Sequence, residues 1–309
     1  MARHLNLSVR LPRHCNPRRG GCSQPPMPSL PPIVLSFAAS DPTGGAGLQA
    51  DLLTLASMGC HPLTVVTALT VQDTRGIDDL LAIDSDWVVD QARKLLEDMP
   101  VAAFKLGVLG SVENVTAIAE IISDYPEVPV ILDPVLASGR GDTLAGEDLI
   151  IAMRELIIPQ TTVLTPNSME ARRLAEEDGD EDDPGLDECA SRLVSLGCEF
   201  VLITGTHENT AEVINTLYGE EGIVRSDRWK RLPGSYHGSG CTLASAIAAT
   251  MANGLDVPEA VREAQEYTWQ ALAHGFRPGM GQHLPDRFFW ARETEGEGAE
   301  VPDSGREDS

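Results

Sequence analysis

The sequence lacks both the cysteine spacing of a zinc site and any apolar run long enough to cross a membrane. Its six cysteines form no CxxC pair and no Cys/His cluster, and no segment approaches the ~18 apolar residues of a membrane span. A chain of 309 residues is also too large to need disulfides for its stability. These absences indicate free thiols and a cytoplasmic location. The cysteines are at positions 15, 22, 60, 189, 198 and 241.

Basic residues are scarce relative to acidic ones. The chain has 23 lysines and arginines against 47 aspartates and glutamates, which gives a net charge of −24. Such a charge repels nucleic acid and anionic membranes, so neither is an expected partner. It also repels a nucleotide, unless a local positive site and a divalent cation offset the field.

The two ends of the chain differ in composition from the middle. Residues 1–32 contain five arginines, seven prolines and no acidic residue, whereas residues 293–309 contain seven acidic residues and one arginine. No apolar segment follows the basic residues, which argues against a secretory signal, and the prolines argue against an amphipathic transit helix. We expect a disordered leader over 1–32, a single domain over 33–292 and a disordered acidic tail over 293–309.

From Ile33 onward, apolar segments of strand length alternate with segments of helical spacing. Continuously apolar strands are typical of a mainly parallel sheet covered by helices on both faces, so the fold class is α/β. Residues 213–218 and 222–232 predict a small antiparallel hairpin at the sheet edge. The other predicted strands are 33–39, 64–71, 103–109, 130–135, 163–165 and 200–206. The predicted helices start near 48 and 168 or span 87–96, 112–123, 145–157, 188–196, 241–252 and 258–274.

Polar or glycine-rich segments follow most of the predicted strands. Ligands bind at the carboxyl ends of the strands in open α/β sheets, so these segments are expected to converge on one rim. This convergence predicts a small-molecule site there. The segments are 40–47, 72–76, Asp133, 165–167, 205–207 and the glycine-led helix start near 240.

Two glycine-rich segments differ in what they indicate. Residues 44–47 match neither a Walker loop nor a GxGxxG fingerprint, so they are equally well explained as a tight turn. Residues 237–242 place two glycines before a predicted helix, where backbone N–H groups can converge on an anion. A helix N-terminus also stabilises a thiolate, which predicts a reactive Cys241. His237 is interpreted as a structural loop residue.

Asp133 and Glu170 are candidate magnesium-side carboxylates, because Mg²⁺ prefers hard oxygen ligands, bound directly or through its waters. Each is equally well explained as a helix cap or a surface charge.

Six short motifs occur in order along the chain. They are SDPTGGAGLQAD (40–51), TALTVQDTRG (67–76), KLG (105–107), LDPV (132–135), TPNSME (165–170) and HGSGCT (237–242). Together they resemble the motifs of the hydroxymethylpyrimidine/phosphomethylpyrimidine kinases of thiamine biosynthesis, over about residues 33–290. The resemblance implies a ribokinase-like fold and a homodimer.

The resemblance also implies the reaction and the residues that carry it. ATP would phosphorylate the hydroxymethyl oxygen of 4-amino-5-hydroxymethyl-2-methylpyrimidine and then the resulting monophosphate, with Mg²⁺ assisting both steps. Cys241 would be the catalytic residue beside the attacking hydroxyl. The resemblance assigns Gln72, Asp51, Val108 and Val135 to the pyrimidine, Gly238, Ser239, Gly240 and Thr204 to the anion hole and ATP, and Asp133 and Glu170 to the metal.

One motif departs from the family pattern. Many members have Lys-Gly-Gly-His where this chain reads Thr204-Gly205-Thr206-His207. The departure removes a candidate phosphate contact, and Lys105 and Arg75 are the nearest cations within the motifs. Two alternatives to the pyrimidine kinase therefore stay open: a pyridoxal kinase, whose ring substrate is similar, and a non-catalytic sensor of pyrimidine phosphates.

Overall fold

The computed structural model describes residues 30–137, 144–177 and 184–292, and these residues fold around one mixed sheet. Its strands are Ile33–Ser40 (β1), His61–Gln72 (β2), Ile77–Ala82 (β3), Ala103–Leu106 (β4), Val130–Leu132 (β5), Val163–Leu164 (β6), Phe200–Thr204 (β7), Glu212–Gly219 (β8) and Gly222–Lys230 (β9). The α-helices are Gly47–Ser57 (α1), Ser85–Leu96 (α2), Val112–Ser123 (α3), Glu147–Ala152 (α4), Ser168–Ala175 (α5), Leu186–Ser195 (α6), Ser239–Ala252 (α7) and Val257–Ala273 (α8).

The strand order across the sheet is β3-β2-β1-β4-β5-β6-β7-β8-β9. The six strands from β2 to β7 in that order run parallel, so their carboxyl ends form one rim. Strand β3 at one edge and the hairpin β8–β9 at the other are antiparallel. The predicted α/β class and the edge hairpin are therefore confirmed. The chain turns from one side of β1 to the other between β2 and β4, which is where ligands bind in such sheets.

Helices cover both faces of the central strands, whose neighbouring residues point to opposite faces. Leu35 and Phe37 of β1 pack into one core with helices α2 to α6. Val34 of the same strand packs into a second core, with residues of α7 and α8 such as Ile247 and Val261. Helix α7 lies directly on the sheet, and its residues from Thr242 to Thr250 are all buried.

Several predicted boundaries are wrong by a few residues. The strand predicted over 130–135 ends at Leu132: the Asp133 N–H still donates to Leu106 on β4, but the next residue, Pro134, has no N–H to donate. The strand predicted over 103–109 ends at Leu106, before Gly107 and a left-handed Gly110. The helix predicted over 145–157 is α4 followed by a π-helical turn at Met153–Ile157. Strand β3 was not predicted at all.

The expected leader (1–32) and acidic tail (293–309) lie almost wholly or wholly outside the described residues, so both stay predictions. The residues described from Pro31 onward belong to one compact unit. Among the described residues, no helix is both long enough and apolar enough to span a membrane.

Candidate active site

Two glycine loops meet at the rim. One follows β1 and contains Gly44 and Gly45, and the other precedes α7 and contains Gly238. Gly238 has a φ of +82°, and a Cβ there would lie 1.8 Å from the carbonyl oxygen of Gly45. Only glycine fits this backbone conformation and this close approach. The two loops are therefore packed backbone against backbone.

Asp41 joins the same two loops through its side chain. Its buried carboxylate accepts hydrogen bonds from the N–H groups of Thr43 (2.8 Å) and Ala46 (2.7 Å), and Nε2 of His237 lies 2.8 Å away. Burial alone would raise the pKa of Asp41, but His237 and the nearby Gln72 side chain outweigh it and hold that pKa well below its usual range. His237 thus fixes the loop, in agreement with the structural role expected for it.

The start of α7 leaves backbone N–H donors unpaired on the rim. Gly238 is the N-cap residue, and no described side chain caps the helix. The first-turn N–H groups at Ser239, Gly240 and Cys241 therefore have no partner within the helix and carry its partial positive charge. Gly240 is exposed and Ser239 partly exposed, so a ligand on the rim can reach them.

Cys241 does not have the lowered pKa that its position at a helix start predicts. Burial and the neighbouring Asp133 carboxylate raise the pKa of the thiol, although Lys105 and the N–H of Gly47 act in the opposite direction. The thiol and the Asp133 carboxylate are near enough to influence each other's pKa. Desolvation next to a carboxylate outweighs the helix N-terminus, so the resting form is the neutral thiol.

Behind the thiol lies a fully buried ion pair. Nζ of Lys105 is 3.0 Å from Oδ1 of Asp51, and neither side chain has any exposed surface. Ser36 and Ser245 also donate to the Asp51 carboxylate, at 2.5 and 2.7 Å. Burial opposes the charge on Lys105, but Asp51, Cys241 and Asp133 outweigh it and raise the pKa of this amine. A substrate contact at Asp51 stays a prediction, since its carboxylate is already occupied.

The two candidate metal carboxylates face each other. Asp133 follows β5 and is buried, and its Oδ2 has no hydrogen-bond partner among the described residues. Glu170 caps the start of α5, where its Oε2 accepts from the N–H of Asn167 at 2.9 Å. Burial and the Asp133 charge raise the pKa of Glu170 to about 8. The helix-cap explanation of Glu170 is therefore correct, and its Oε1 also accepts from the N–H of Leu136 at 3.4 Å, so only Asp133 Oδ2 is left without a partner among the described residues.

Three other predicted substrate residues lie at the carboxyl ends of β2, β4 and β5. Gln72 is the last residue of β2, while Val108 and Val135 follow β4 and β5, and all three are partly exposed. The carbonyl oxygen of Val108 accepts from the Thr67 hydroxyl at 2.5 Å. The loop carrying Val108 is held further by buried Asn114, whose amide donates to carbonyl groups of Thr67, Ile83 and Leu109.

Thr204 ends β7, and the loop after it is fastened by arginines. The Arg231 guanidinium donates to the carbonyl groups of Thr206, Glu208 and Thr210, and Arg172 pairs with Glu208 at 3.1 Å. The two motif cations do not replace the family lysine. Lys105 is buried on Asp51, and the half-exposed Arg75 pairs with Asp73.

Sequence reasoning missed the roles of Asp41, Asn114 and Arg287. Asp41 and its partner His237 each occur in a motif, but their 196-residue separation hides the contact. Asn114 and Arg287 lie outside all six motifs. A polar residue among apolar ones, as Asn114 is in α3, was the one available signal.

Comparison with known proteins gives consistent matches. The family model described as phosphomethylpyrimidine kinase matches residues 41–286. A hydroxymethylpyrimidine/phosphomethylpyrimidine kinase from Streptomyces coelicolor is 38% identical, over 83% of this chain and 94% of the relative. The thiamine biosynthesis bifunctional protein ThiED of Geobacter sulfurreducens is 36% identical, over 84% of this chain and 53% of the relative.

The fold also matches solved structures. An ADP complex of pyridoxal kinase from Bacillus subtilis superposes with a TM-score of 0.74 at 27% identity, covering 85% of this chain and 99% of that chain. The ribokinase-like fold expected from the motifs is confirmed.

Proposed function

The chain belongs to the phosphomethylpyrimidine kinase family, and from that membership we propose how its site transfers a phosphoryl group. It phosphorylates 4-amino-5-hydroxymethyl-2-methylpyrimidine and its monophosphate in thiamine biosynthesis, with ATP as the donor. The observation that carries the site assignment is the uncapped start of α7, with Cys241 on its first turn beside buried Asp133.

Gln72 recognises the pyrimidine ring. An amide both donates and accepts, which matches a ring nitrogen next to an exocyclic amino group. The ionised Asp41 beside Gln72 can only accept, so it favours the amide orientation whose NH₂ faces Asp41 and whose oxygen faces the ring. Val108 and Val135 supply apolar surface beside the ring, and Asp51 is assigned to the substrate by resemblance alone.

The N–H groups of Gly238, Ser239 and Gly240 receive the transferring phosphoryl group. Phosphoryl transfer passes through a loose transition state, so alignment and charge neutralisation matter more than a strong base. Fixed backbone donors are well suited to this, because they need no rearrangement as charge develops. Thr204, across the rim, offers a hydroxyl to the nucleotide in place of the family lysine.

Cys241 manages the proton of the attacking hydroxymethyl group. Because its resting form is a thiol facing Asp133, it can accept that proton at Sγ only as its own proton moves to the carboxylate. Burial raises the pKa of Asp133, which makes this carboxylate a better acceptor. After the two proton transfers, Cys241 is again a neutral thiol and Asp133 carries the proton.

Mg²⁺ fits the donors present. Mg²⁺ commonly uses one or two carboxylates together with substrate phosphates and retained waters. Asp133 Oδ2 lacks a partner among the described residues, and the mutual repulsion with Glu170 favours a cation. The described residues contain no group of three His, Cys, Asp or Glu side chains that could hold a metal ion. When bound, Mg²⁺ would neutralise phosphate charge, and Asp133 and Glu170 would hold it through its waters, so that Asp133 stays able to take the proton from Cys241.

A homodimer in the cytoplasm completes the proposal. Leu69 and Leu81 pair across β2 and β3, and both are exposed, as is Val71. Such an apolar sheet face next to an unpaired edge strand supports self-association. The free thiols support a reducing compartment.

The test is a coupled ATP-consumption assay with the pyrimidine alcohol, its monophosphate and pyridoxal. Cys241→Ala is expected to lower kcat on both pyrimidines by about 100-fold or more, the usual effect of losing a proton-transfer group. Cys60→Ala, which removes another buried thiol, is the matched control and keeps its turnover. Unchanged turnover in Cys241→Ala would refute the catalytic role. A higher kcat/KM on pyridoxal would favour the pyridoxal kinase, and binding without ATP consumption would favour a sensor.

A further inference from the structure

Arg287 is a buried cation without a carboxylate partner. Only 3% of the residue is exposed, and among the described residues no carboxylate forms an ion pair with it. The adjacent Asp286 is also buried, but it pairs with Arg292 instead. A buried charge normally requires a paired counter-charge. An arginine left in this state is unusual enough to need a function.

The guanidinium of Arg287 donates its hydrogen bonds to the first glycine loop and to the first turn of α7. Nη1 and Nη2 donate to the carbonyl groups of Gly44 (3.3 Å) and Gly45 (2.5 Å), and Nε donates to the Thr242 hydroxyl (3.1 Å). Thr242 passes the contact on, since its hydroxyl donates to the carbonyl oxygen of Gly238 at 2.8 Å. One rigid fork thus touches the loop after β1 and the first turn of α7.

The backbone of Arg287 is anchored as firmly as its side chain. Its carbonyl oxygen accepts from the hydroxyl groups of Ser57 (2.6 Å) and Tyr267 (2.8 Å), at the end of α1 and within α8. The guanidinium is therefore held at a fixed point by elements outside the site. Together with the Asp41–His237 contact, it is a second fastening between the two loops.

The positive charge of Arg287 lies next to the proposed phosphoryl site, where the motif cations are already paired. The chain has Thr204 in place of the family lysine, and its motif cations Lys105 and Arg75 are neutralised by Asp51 and Asp73. Arg287 forms no ion pair among the described residues, and its guanidinium reaches Gly238, at the start of α7, through the Thr242 hydroxyl. Burial lowers the pKa of Arg287, whereas the nearby Cys241, Asp51 and Asp41 side chains oppose that shift.

We propose that Arg287 is a positioning residue for phosphoryl transfer: it locks the two glycine loops into the anion hole and gives the hole its fixed positive charge. The proposal rests on the pyrimidine kinase function and on the start of α7 as the phosphoryl site. The ligand concerned is the transferring phosphoryl group, and the uncharged pyrimidine is not expected to sense the residue.

The experiment compares Arg287→Lys, which keeps the charge, with Arg287→Gln, which keeps hydrogen-bond donors without it. In Arg287→Gln we expect kcat to fall about 100-fold, as for loss of an oxyanion donor, with the KM of the pyrimidine alcohol within about twofold of wild type. Arg287→Lys should recover at least about tenfold of that loss. The control is Arg277→Gln, which changes an exposed arginine that donates to the carbonyl groups of Met280 and Gly281.

A milder variant keeps the test valid if both substitutions unfold the protein. Thr242→Val keeps Arg287 but removes the hydroxyl through which it reaches Gly238, and should lower kcat about tenfold without changing the KM of the pyrimidine. Equal kcat values in the Lys and Gln variants, or a pyrimidine KM that rises as kcat falls, would overturn the proposal. Inactive wild-type protein would instead overturn the pyrimidine kinase function.

Discussion

The protonation of Cys241 depends on its buried neighbours more than on its helix. Asp133 on one side disfavours a thiolate, whereas Lys105 and the N–H of Gly47 favour it. Because Lys105 is already paired with Asp51, the carboxylate and the loss of water prevail. The same arrangement changes when the acceptor Asp133 takes up a proton or a cation. The thiol is thereby suited to a role during turnover and not to spontaneous reactivity.

Alkylation of Cys241 checks this protonation directly. Its raised pKa leaves less thiolate at pH 7.5 than in an ordinary cysteine, because the thiolate fraction below the pKa falls tenfold per unit. Iodoacetamide should therefore label Cys241 more slowly in the native protein than in urea. The native rate should climb throughout pH 7 to 9, as peptide mapping by mass spectrometry would measure. Faster native labelling at pH 7.5 would instead indicate the activated thiolate that the helix start alone suggests.

At the scale of elements, the sequence predicts the continuously apolar strands. It does not predict edge strands or contacts between residues that are distant in the sequence. Strands β1 and β7 were recognised because both of their faces are buried. Strand β3 was missed because Asp78 and Asp79 interrupt it, and an edge strand tolerates such residues. Both glycine loops were expected on one rim, because one follows a predicted strand and the other opens a predicted helix. The packing of the two loops against each other could not be predicted, because a Cβ at Gly238 would clash with Gly45, which is distant in the sequence.

A pair of glycines tests the packing at the start of α1. Gly44 and Gly47 both have positive φ, but a Cβ at Gly44 meets open space, whereas one at Gly47 lies 2.3 Å from the Ala39 carbonyl oxygen. Gly44→Ala should cost about 1–2 kcal/mol for the left-handed conformation alone. Gly47→Ala should cost at least about 2 kcal/mol more, because overpacking adds to that strain.

Urea unfolding monitored by circular dichroism would measure both glycine variants, each compared with wild type at equal slope. Equal midpoints for the two variants would mean that α1 shifts away from β1 without cost.

At the scale of the whole molecule, the negative charge of the protein disfavours the approach of its anionic substrate, ATP. A net charge of −24 repels ATP, while the site concentrates uncharged N–H donors and buried arginine at the rim. Composition alone could predict the repulsion. It could not predict where the opposing charge lies, because Arg287 is far from every motif in the sequence.

The dependence of kcat/KM on ionic strength distinguishes the effect of the acidic surface from the effect of the local positive charge at the site. Screening of the distant acidic surface should raise kcat/KM for ATP about two- to fivefold between 50 and 300 mM KCl at constant free Mg²⁺. The kcat/KM of the uncharged pyrimidine alcohol, measured in the same assay, is the internal control and should stay level. A fall in kcat/KM for ATP with added salt would show that the local positive site dominates the approach of the nucleotide.

The contact between Gly45 and Arg287 spans 242 positions of the chain. Contacts between residues so far apart in the sequence form late in folding, because the entropy of closing a long loop is lost before the contact can stabilise the chain. During translation, the first glycine loop leaves the ribosome long before the arginine that fastens it has been made. A nascent chain can thus assemble β1, α1 and most of the sheet, yet it cannot complete the anion hole. The enzyme would become competent only after Arg287 has left the ribosome.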